Sequence, residues 1–355
     1  MPRFTTARLR RPARADNSGV LTGLTAPFAN PGGLRMRTFL PPDLAPGAPL
    51  VVVLHGCTQT ASAYDSGAGW SALASALGFA LLFPEQTQAN NANVCFNWFE
   101  PGDTRRGVGE AASIANAVAA MVAAHGLDPA RVFVTGLSAG GAMTNVMLAA
   151  YPDVFAGGAI IAGLAYRVAD GVAEALQTMA RPAPVAPRLL GDRVRAASSF
   201  AGPWPVVSVW HGGSDRTVAV ANGEAIAAQW ADVHHASSAT GDADHRVWRN
   251  AAGVVVVEFR RIPGMGHGTP IDASAEGNNP APFMLDVGIA SSAAIAAFWG
   301  LGAAPAQRSR PPTEAPLDGS APPPPLPLRG GAPAGGRFDV ARLIDDTLRS
   351  AGLMK

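Results

Sequence analysis

Arg131-Val-Phe-Val-Thr-Gly-Leu-Ser138-Ala-Gly-Gly-Ala-Met143 is the stretch around which the rest of the chain falls into order. Its apolar run reads as a buried strand, Gly136-Leu-Ser-Ala-Gly140 as a tight turn, and the run on through Met147 to Ala150 as a helix. Gly-x-Ser-x-Gly at a strand-to-helix corner is the pattern of a nucleophile elbow. The Ser sits in strained backbone with its hydroxyl clear of the sheet, and the flanking glycines let chain segments approach closely. The five residues alone would also describe an ordinary Gly-rich turn. Context gives them weight: a strand precedes, a helix follows, and partners lie downstream in the order Ser, Asp, His.

Upstream, Leu50-Val-Val-Val-Leu54 is a continuous apolar run of the kind buried on both faces of a parallel sheet. It ends in His55-Gly-Cys-Thr-Gln59. The loop after such a strand supplies half of the oxyanion hole in elbow enzymes, so the expected donors are the N–H groups of Cys57 and Ala139. A simple turn at His55-Gly56 is the competing reading. Downstream, Pro205-Val-Val-Ser-Val-Trp210 ends in His211-Gly-Gly-Ser-Asp215. Asp215 follows its strand directly, whereas Asp232, Asp242 and Asp244 fall in or after the next helix, so Asp215 is the expected acid. Val254 to Ile262 leads into Pro263-Gly-Met-Gly-His267. His234 and His235 are expected in a helix and His245 in a polar loop, which leaves His267 to return to Ser138 as the base.

Further strands are expected at Leu34–Leu40, Phe79–Phe83 and Ala156–Ile161, and helices at Trp70–Leu77, Gly109–Gly126, Arg167–Met179, Val220–His234 and Met284–Trp299. Strands alternating with helices predict an α/β protein with a mostly parallel central sheet covered by helices on both faces. The organisation expected is an irregular tail over 1–30 and a catalytic domain over 31–302, with 165–205 inserted above the active edge. A Pro/Gly-rich linker over 303–336 and a short helix over 337–355 follow. That terminal helix has an apolar stripe that could dock on its own catalytic domain or on a substrate granule. The long loop from Glu85 to Arg106 carries Trp98, which either walls a substrate cleft or packs beneath the loop.

With 355 residues, 48% hydrophobic and 15% charged, the chain can bury one large core. A net charge of +1 argues against nucleic-acid binding. No segment reads as a membrane span, the Ala-rich stretch Glu110–Ala124 being taken for a core helix. Cys57 and Cys95, the only cysteines, make neither a disulfide framework nor a metal site, and no metal or organic cofactor is expected. One bridge between them competes with two reduced thiols. The start of the chain shows basic groups but no apolar leader core, which fits a cytoplasmic protein or a mature chain.

Six segments carry a family resemblance: His55-Gly-Cys-Thr-Gln59, Asn97-Trp-Phe-Glu-Pro101, Gly136-Leu-Ser-Ala-Gly-Gly141, Tyr151-Pro-Asp-Val-Phe-Ala156, His211-Gly-Gly-Ser-Asp215 and Gly266-His267. Together, over about Leu50 to Trp299, they resemble the polyhydroxybutyrate depolymerase family of esterases, close to feruloyl and acetylxylan esterases. The resemblance implies an α/β-hydrolase fold and ester hydrolysis through an acyl-enzyme on Ser138, Asp215 and His267. It also implies an extracellular setting and places His55, Gln59 and Trp98 at the substrate, a polyester or a small ester. Competing readings are a feruloyl- or acetyl-type esterase for soluble or carbohydrate esters, an acyltransferase with the same triad, and a non-catalytic binding protein on this fold.

Overall fold

A computed structural model describes residues 20–236 and 238–302. The linker 303–336 and the terminal helix expected over 337–355 therefore lie outside the described residues, apart from which the chain builds on one large sheet. In chain order the elements are β1 (Thr22–Gly23), β2 (Arg35–Phe39), β3 (Leu50–Leu54), α1 (Ala61–Ala68), α2 (Trp70–Leu77), β4 (Ala80–Glu85), α3 (Pro101–Thr104) and α4 (Gly109–His125). There follow β5 (Val132–Leu137), α5 (Ala139–Ala150), β6 (Gly157–Ile161), α6 (Val172–Ala180), α7 (Pro187–Arg195), β7 (Val206–Gly212) and α8 (Ala221–Val233). The last are β8 (Ala239–Gly241), β9 (His245–Arg249), β10 (Val255–Ile262), β11 (Thr269–Ile271), β12 (Met284–Asp286) and α9 (Ser291–Phe298).

The sheet order is β1-β2-β4-β3-β5-β6-β7-β10-β9-β8. The run from β4 to β10 is parallel throughout, and the two ends are antiparallel. Parallel strands covered on both faces must be apolar at every position. In β3 the side chains accordingly split by parity: Leu50, Val52 and Leu54 join one core and Val51 and Val53 the other. The first core is roofed by residues of α4, α5 and α8, such as Ile114, Met143 and Trp230. The second is roofed by α1, α2 and α9, with Tyr64, Trp70 and Ile295. The α/β-hydrolase architecture expected from the sequence is thus the one present.

Several local expectations are corrected. Of the tail expected over 1–30, residues 1–19 lie outside the described residues; within 20–30 only Thr22–Gly23 is strand, paired with β2, and Asn116 Nδ2 donates to Ala29 O at 2.8 Å. Helix α6 begins five residues later than expected, and the insertion holds a second helix, α7, that the sequence reading did not include. Pro187 stands in its first turn, where no backbone N–H is needed. The expected polar loop before β10 folds into the β8–β9 hairpin, whose exposed edge tolerates polar side chains. Met284–Asp286 is a strand, and Gly288 at φ +70° separates it from the much shorter helix α9. Residues 101–125 do have the length and hydropathy of a membrane span, yet half of that window is buried inside the protein. Ile114, Val118 and Met121 of α4 pack in the main core, which makes it a core helix.

Where β5 turns into α5, main chains nearly touch. A Cβ on Gly136 would lie 2.4 Å from Gly140 O, and one on Gly140 would lie 2.4 Å from Leu54 O and 2.5 Å from His55 O. Only glycine fits these two positions. Gly140→Ala should therefore cost about 3 kcal/mol or more, because the obstacle is backbone. Urea unfolding measures it, and a loss under about 1 kcal/mol would show that the crossing is looser than described.

The long loop after β4 is held from below by Glu110 at the start of α4. Its Oε2 accepts Asn97 N–H at 3.0 Å and its Oε1 accepts Gln86 Nε2–H at 2.5 Å, while Gln86 Nε2 also reaches Cys95 O at 3.1 Å. Burial, with Asp103 nearby, pushes the carboxyl up from an ordinary 4.5 to about 8 despite these bonds. The folded state thus holds a proton that the unfolded chain releases, so this group's stability contribution is full below pH 4.5 and is lost as pH rises through about 8. Glu110→Gln cannot ionise. The melting-temperature difference between wild type and variant should therefore move in the variant's favour between pH 4.5 and pH 9. A difference that stays constant across that range would contradict the assignment.

Candidate active site

Ser138, His55–Cys57, Asp215 and His267 all follow the C-terminal ends of parallel strands, β5, β3, β7 and β10. Ligands bind at that edge of open α/β sheets, where strand order reverses. Here β3 lies between β4 and β5, so the chain leaves β3 in one direction and returns on the other side.

Ser138 has φ +57° and ψ −116°, a conformation that a non-glycine residue adopts only when its surroundings force it. The forcing contacts are Ser138 N–H to Ile161 O at 2.9 Å, Ala142 N–H to Ser138 O at 2.8 Å, and the glycine crossing beneath. Asp215 and His267 meet directly: His267 Nδ1–H donates to Asp215 Oδ2 at 2.7 Å. The other carboxylate oxygen, Oδ1, accepts the N–H groups of Thr217 and Val218, each at 2.9 Å. Burial alone would raise the Asp215 pKa. The His267 hydrogen bond and charge, Val218 N–H and the nearby His211 outweigh burial and hold it below the ordinary carboxylate value. His211 is itself fully buried, donates from Nε2 to Val218 O at 2.8 Å, and is kept toward its neutral form by burial.

A cleft open to solvent lies above these groups, and both Ser138 and His267 line it. Cys57 and Ala139 line it too, and among the described residues neither of their N–H groups is given to a protein acceptor. Unspent N–H groups at a helix start and beside a glycine form a ready anion site. Cys57 and Cys95 form a disulfide, which ties the loop after β3 to the loop after β4. Trp98 lines the cleft and is also packed in the core, with Phe99 edge-on at 5.4 Å.

His55 and Gln59 do not line this cleft, and the structure gives them different work. His55 is buried; its Nδ1–H donates to Gly56 O at 2.7 Å and its Nε2 accepts Gln86 N–H at 3.1 Å. Burial lowers its pKa, consistent with a neutral ring. Gln59 Oε1 accepts Gly56 N–H at 2.9 Å, and its Nε2 reaches Pro282 O at 3.4 Å. Both residues hold the loop that presents Cys57. His245, expected in a loop, lies on β9 and pairs with Glu258 at 2.8 Å, far along the sheet from Ser138. Sequence reasoning missed other walls of the cleft: Asn91, Leu164, Phe283, and Val172, Leu176 and Met179 of α6. For the three α6 residues the one available signal was apolar side chains at helical spacing in an insertion expected to cover the active edge. Among the described residues no group of three or more His, Cys, Asp or Glu is gathered to hold a metal ion.

Residues 34–251 match the family model described as "Esterase PHB depolymerase". Poly(3-hydroxyalkanoate) depolymerase C of Paucimonas lemoignei is 46% identical over 282 residues, 77% of this chain and 68% of that protein. An acetylxylan esterase of Coprinopsis cinerea is 34% identical over 274 residues, covering 73% and 72% of the two chains. Among solved structures, the acetyl xylan esterase from Aspergillus awamori superposes with a TM-score of 0.62 at 26% identity, over 70% of this chain and 94% of that one. A nucleophile-elbow sheet, a family match over most of that sheet and relatives of this kind lead to one assignment: the chain belongs to the PHB depolymerase family of esterases and is a carboxylic ester hydrolase of the α/β-hydrolase fold.

Proposed function

We propose that this protein is a serine esterase acting on aliphatic polyesters of the 3-hydroxyalkanoate type and their oligomers. The observation that carries the mechanism is the 2.7 Å Asp215–His267 pair in a cleft that also holds Ser138 at its strained corner. Ser138 Oγ attacks the ester carbonyl as His267 Nε2 takes its proton, with Asp215 fixing the tautomer that leaves Nε2 free. The N–H groups of Cys57 and Ala139 receive the oxyanion. As the tetrahedral intermediate collapses, His267 returns the proton to the departing alkoxide oxygen, releasing an alcohol and leaving an acyl group on Ser138. A water deprotonated by the same imidazole then attacks, and the acid is released.

Substrate class is argued from the walls. Besides Ser138 and His267, the polar side chains lining the cleft among the described residues are Asn91 and Thr217, against a majority of aliphatic and aromatic groups. Such a lining suits a hydroxyalkanoate chain better than a sugar, whose many hydroxyls need partners on desolvation. An acetyl- or feruloyl-type esterase is the second reading, supported by the acetylxylan esterase relatives. The Cys57–Cys95 disulfide supports an oxidising, extracellular setting.

The test is a substrate panel on purified protein: p-nitrophenyl butyrate, hydroxybutyrate oligomers, amorphous polymer, and acetylated or feruloylated sugars, with and without an added alcohol. Oligomers and polymer should be cleaved to hydroxy acids, and Ser138→Ala should lower kcat on p-nitrophenyl butyrate by about 10⁴- to 10⁶-fold. Faster turnover of the sugar esters would favour the second reading, and new esters formed with the alcohol would favour acyl transfer. A Ser138→Ala variant keeping about a tenth of wild-type turnover would remove Ser138 from the mechanism.

A further inference from the structure

Helix α6, Val172-Ala-Glu-Ala-Leu-Gln-Thr-Met-Ala180, joins β6 to β7 by way of the insertion. At helical spacing, residues 172, 175, 176 and 179 share one stripe, and all four line the cleft. Glu174, Gln177 and Ala180 point outward and are exposed. Within the stripe Ala175 is buried, while Val172, Leu176 and Met179 are only half-buried. Met179 also touches the main core, but the part of these three side chains left uncovered faces the cleft, and a bound chain would finish covering it.

This wall is fastened at both ends. Gly171 N–H, just before the helix, donates to Phe99 O at 3.0 Å. At the other end Met179 O accepts Ala219 N–H at 2.8 Å, and the buried Asn222 donates from Nδ2 to Thr178 O at 3.0 Å and Met179 O at 3.2 Å. Ala219 directly follows Val218, whose N–H holds Asp215 Oδ1. The wall and the acid are therefore parts of one hydrogen-bonded unit, and their separation is set by main chain rather than by a hinged lid.

From this we infer that Leu176 and Met179 are the specificity determinants for hydrocarbon length, limiting how long a chain can lie beside Ser138. The inference rests on the serine-esterase reading of the cleft. Shortening either side chain opens room for further methylenes, each of which changes transition-state binding measurably in an apolar pocket. Enlarging Leu176 does the opposite. Both positions are half-buried on a surface helix; Met179 also packs against the main core, so the melting temperature of Met179→Ala is measured beside its kinetics, while Leu176 carries no such contact.

The experiment compares wild type with Leu176→Ala, Met179→Ala and Leu176→Trp on two series. One is p-nitrophenyl acetate, butyrate, hexanoate and octanoate; the other is methyl, butyl and octyl butyrate, so that acyl and alcohol lengths vary separately. In one series or the other, the ratio of kcat/KM for the longest to the shortest ester should rise about 10-fold in each alanine variant and fall by a similar factor in Leu176→Trp. Wild-type length profiles in both series for all three variants would overturn the inference. Ser138→Ala, run alongside, separates the two levels. If it retains turnover, the serine-esterase reading fails; if it is inactive while the profiles do not move, only the role of α6 fails.

Discussion

Everything at the active edge depends on the close meeting of three main-chain segments: the end of β3, the end of β5 and the first turn of α5. Two glycines make it possible, because side chains at positions 136 or 140 would collide with carbonyl oxygens of Gly140, Leu54 and His55. The crossing pins Ser138 at a positive φ that no local preference favours, and the two buried cores on either side of the sheet sustain that conformation. The same crossing brings the loop after β3 against the start of α5, so that Cys57 and Ala139 come to line one cleft. A strained nucleophile and its anion site are, on the proposed mechanism, one consequence of one packing constraint.

Around that crossing the loops are held by groups that need not touch substrate. His55 bridges Gly56 and Gln86, Gln59 bridges Gly56 and Pro282, and Glu110 gathers Gln86 and Asn97. The Cys57–Cys95 disulfide closes the same circuit covalently. Preorganisation of this kind lets donors and walls stay in place while charge develops, which is where such sites gain most of their rate. Asp215 extends the pattern, since the Thr217 and Val218 amides orient it before His267 adds its own bond.

How much of this could be read from the sequence follows from the range of the forces involved. Buried parallel strands announce themselves as unbroken apolar runs, so β3, β5, β6, β7 and β10, and with them the order Ser, Asp, His, were legible. The Gly-flanked position of Ser138 was legible because the backbone conformation it needs is rare, and that of His267 because its loop follows a strand directly. His55 and Gln59 were misplaced because motif neighbours of a site look alike whether they face the ligand or the loop behind it. Only the burial of His55 and the bond from Gln59 to Pro282, 223 residues away, tell them apart. The α6 wall was hidden for a related reason: four apolar residues at helical spacing have the same pattern whether they cover a core or an empty cleft.

The central claim is that this crossing makes Ser138 the single activated nucleophile of the protein. Reaction with a p-nitrophenyl alkylphosphonate, followed by intact-mass measurement and peptide mapping, tests it most directly. One phosphonyl group per chain, carried by the peptide containing Ser138, gained in step with loss of esterase activity and absent from His267→Ala, is the expected result. Full inactivation with the label on another residue, or equal labelling of the His267→Ala protein, would contradict the account.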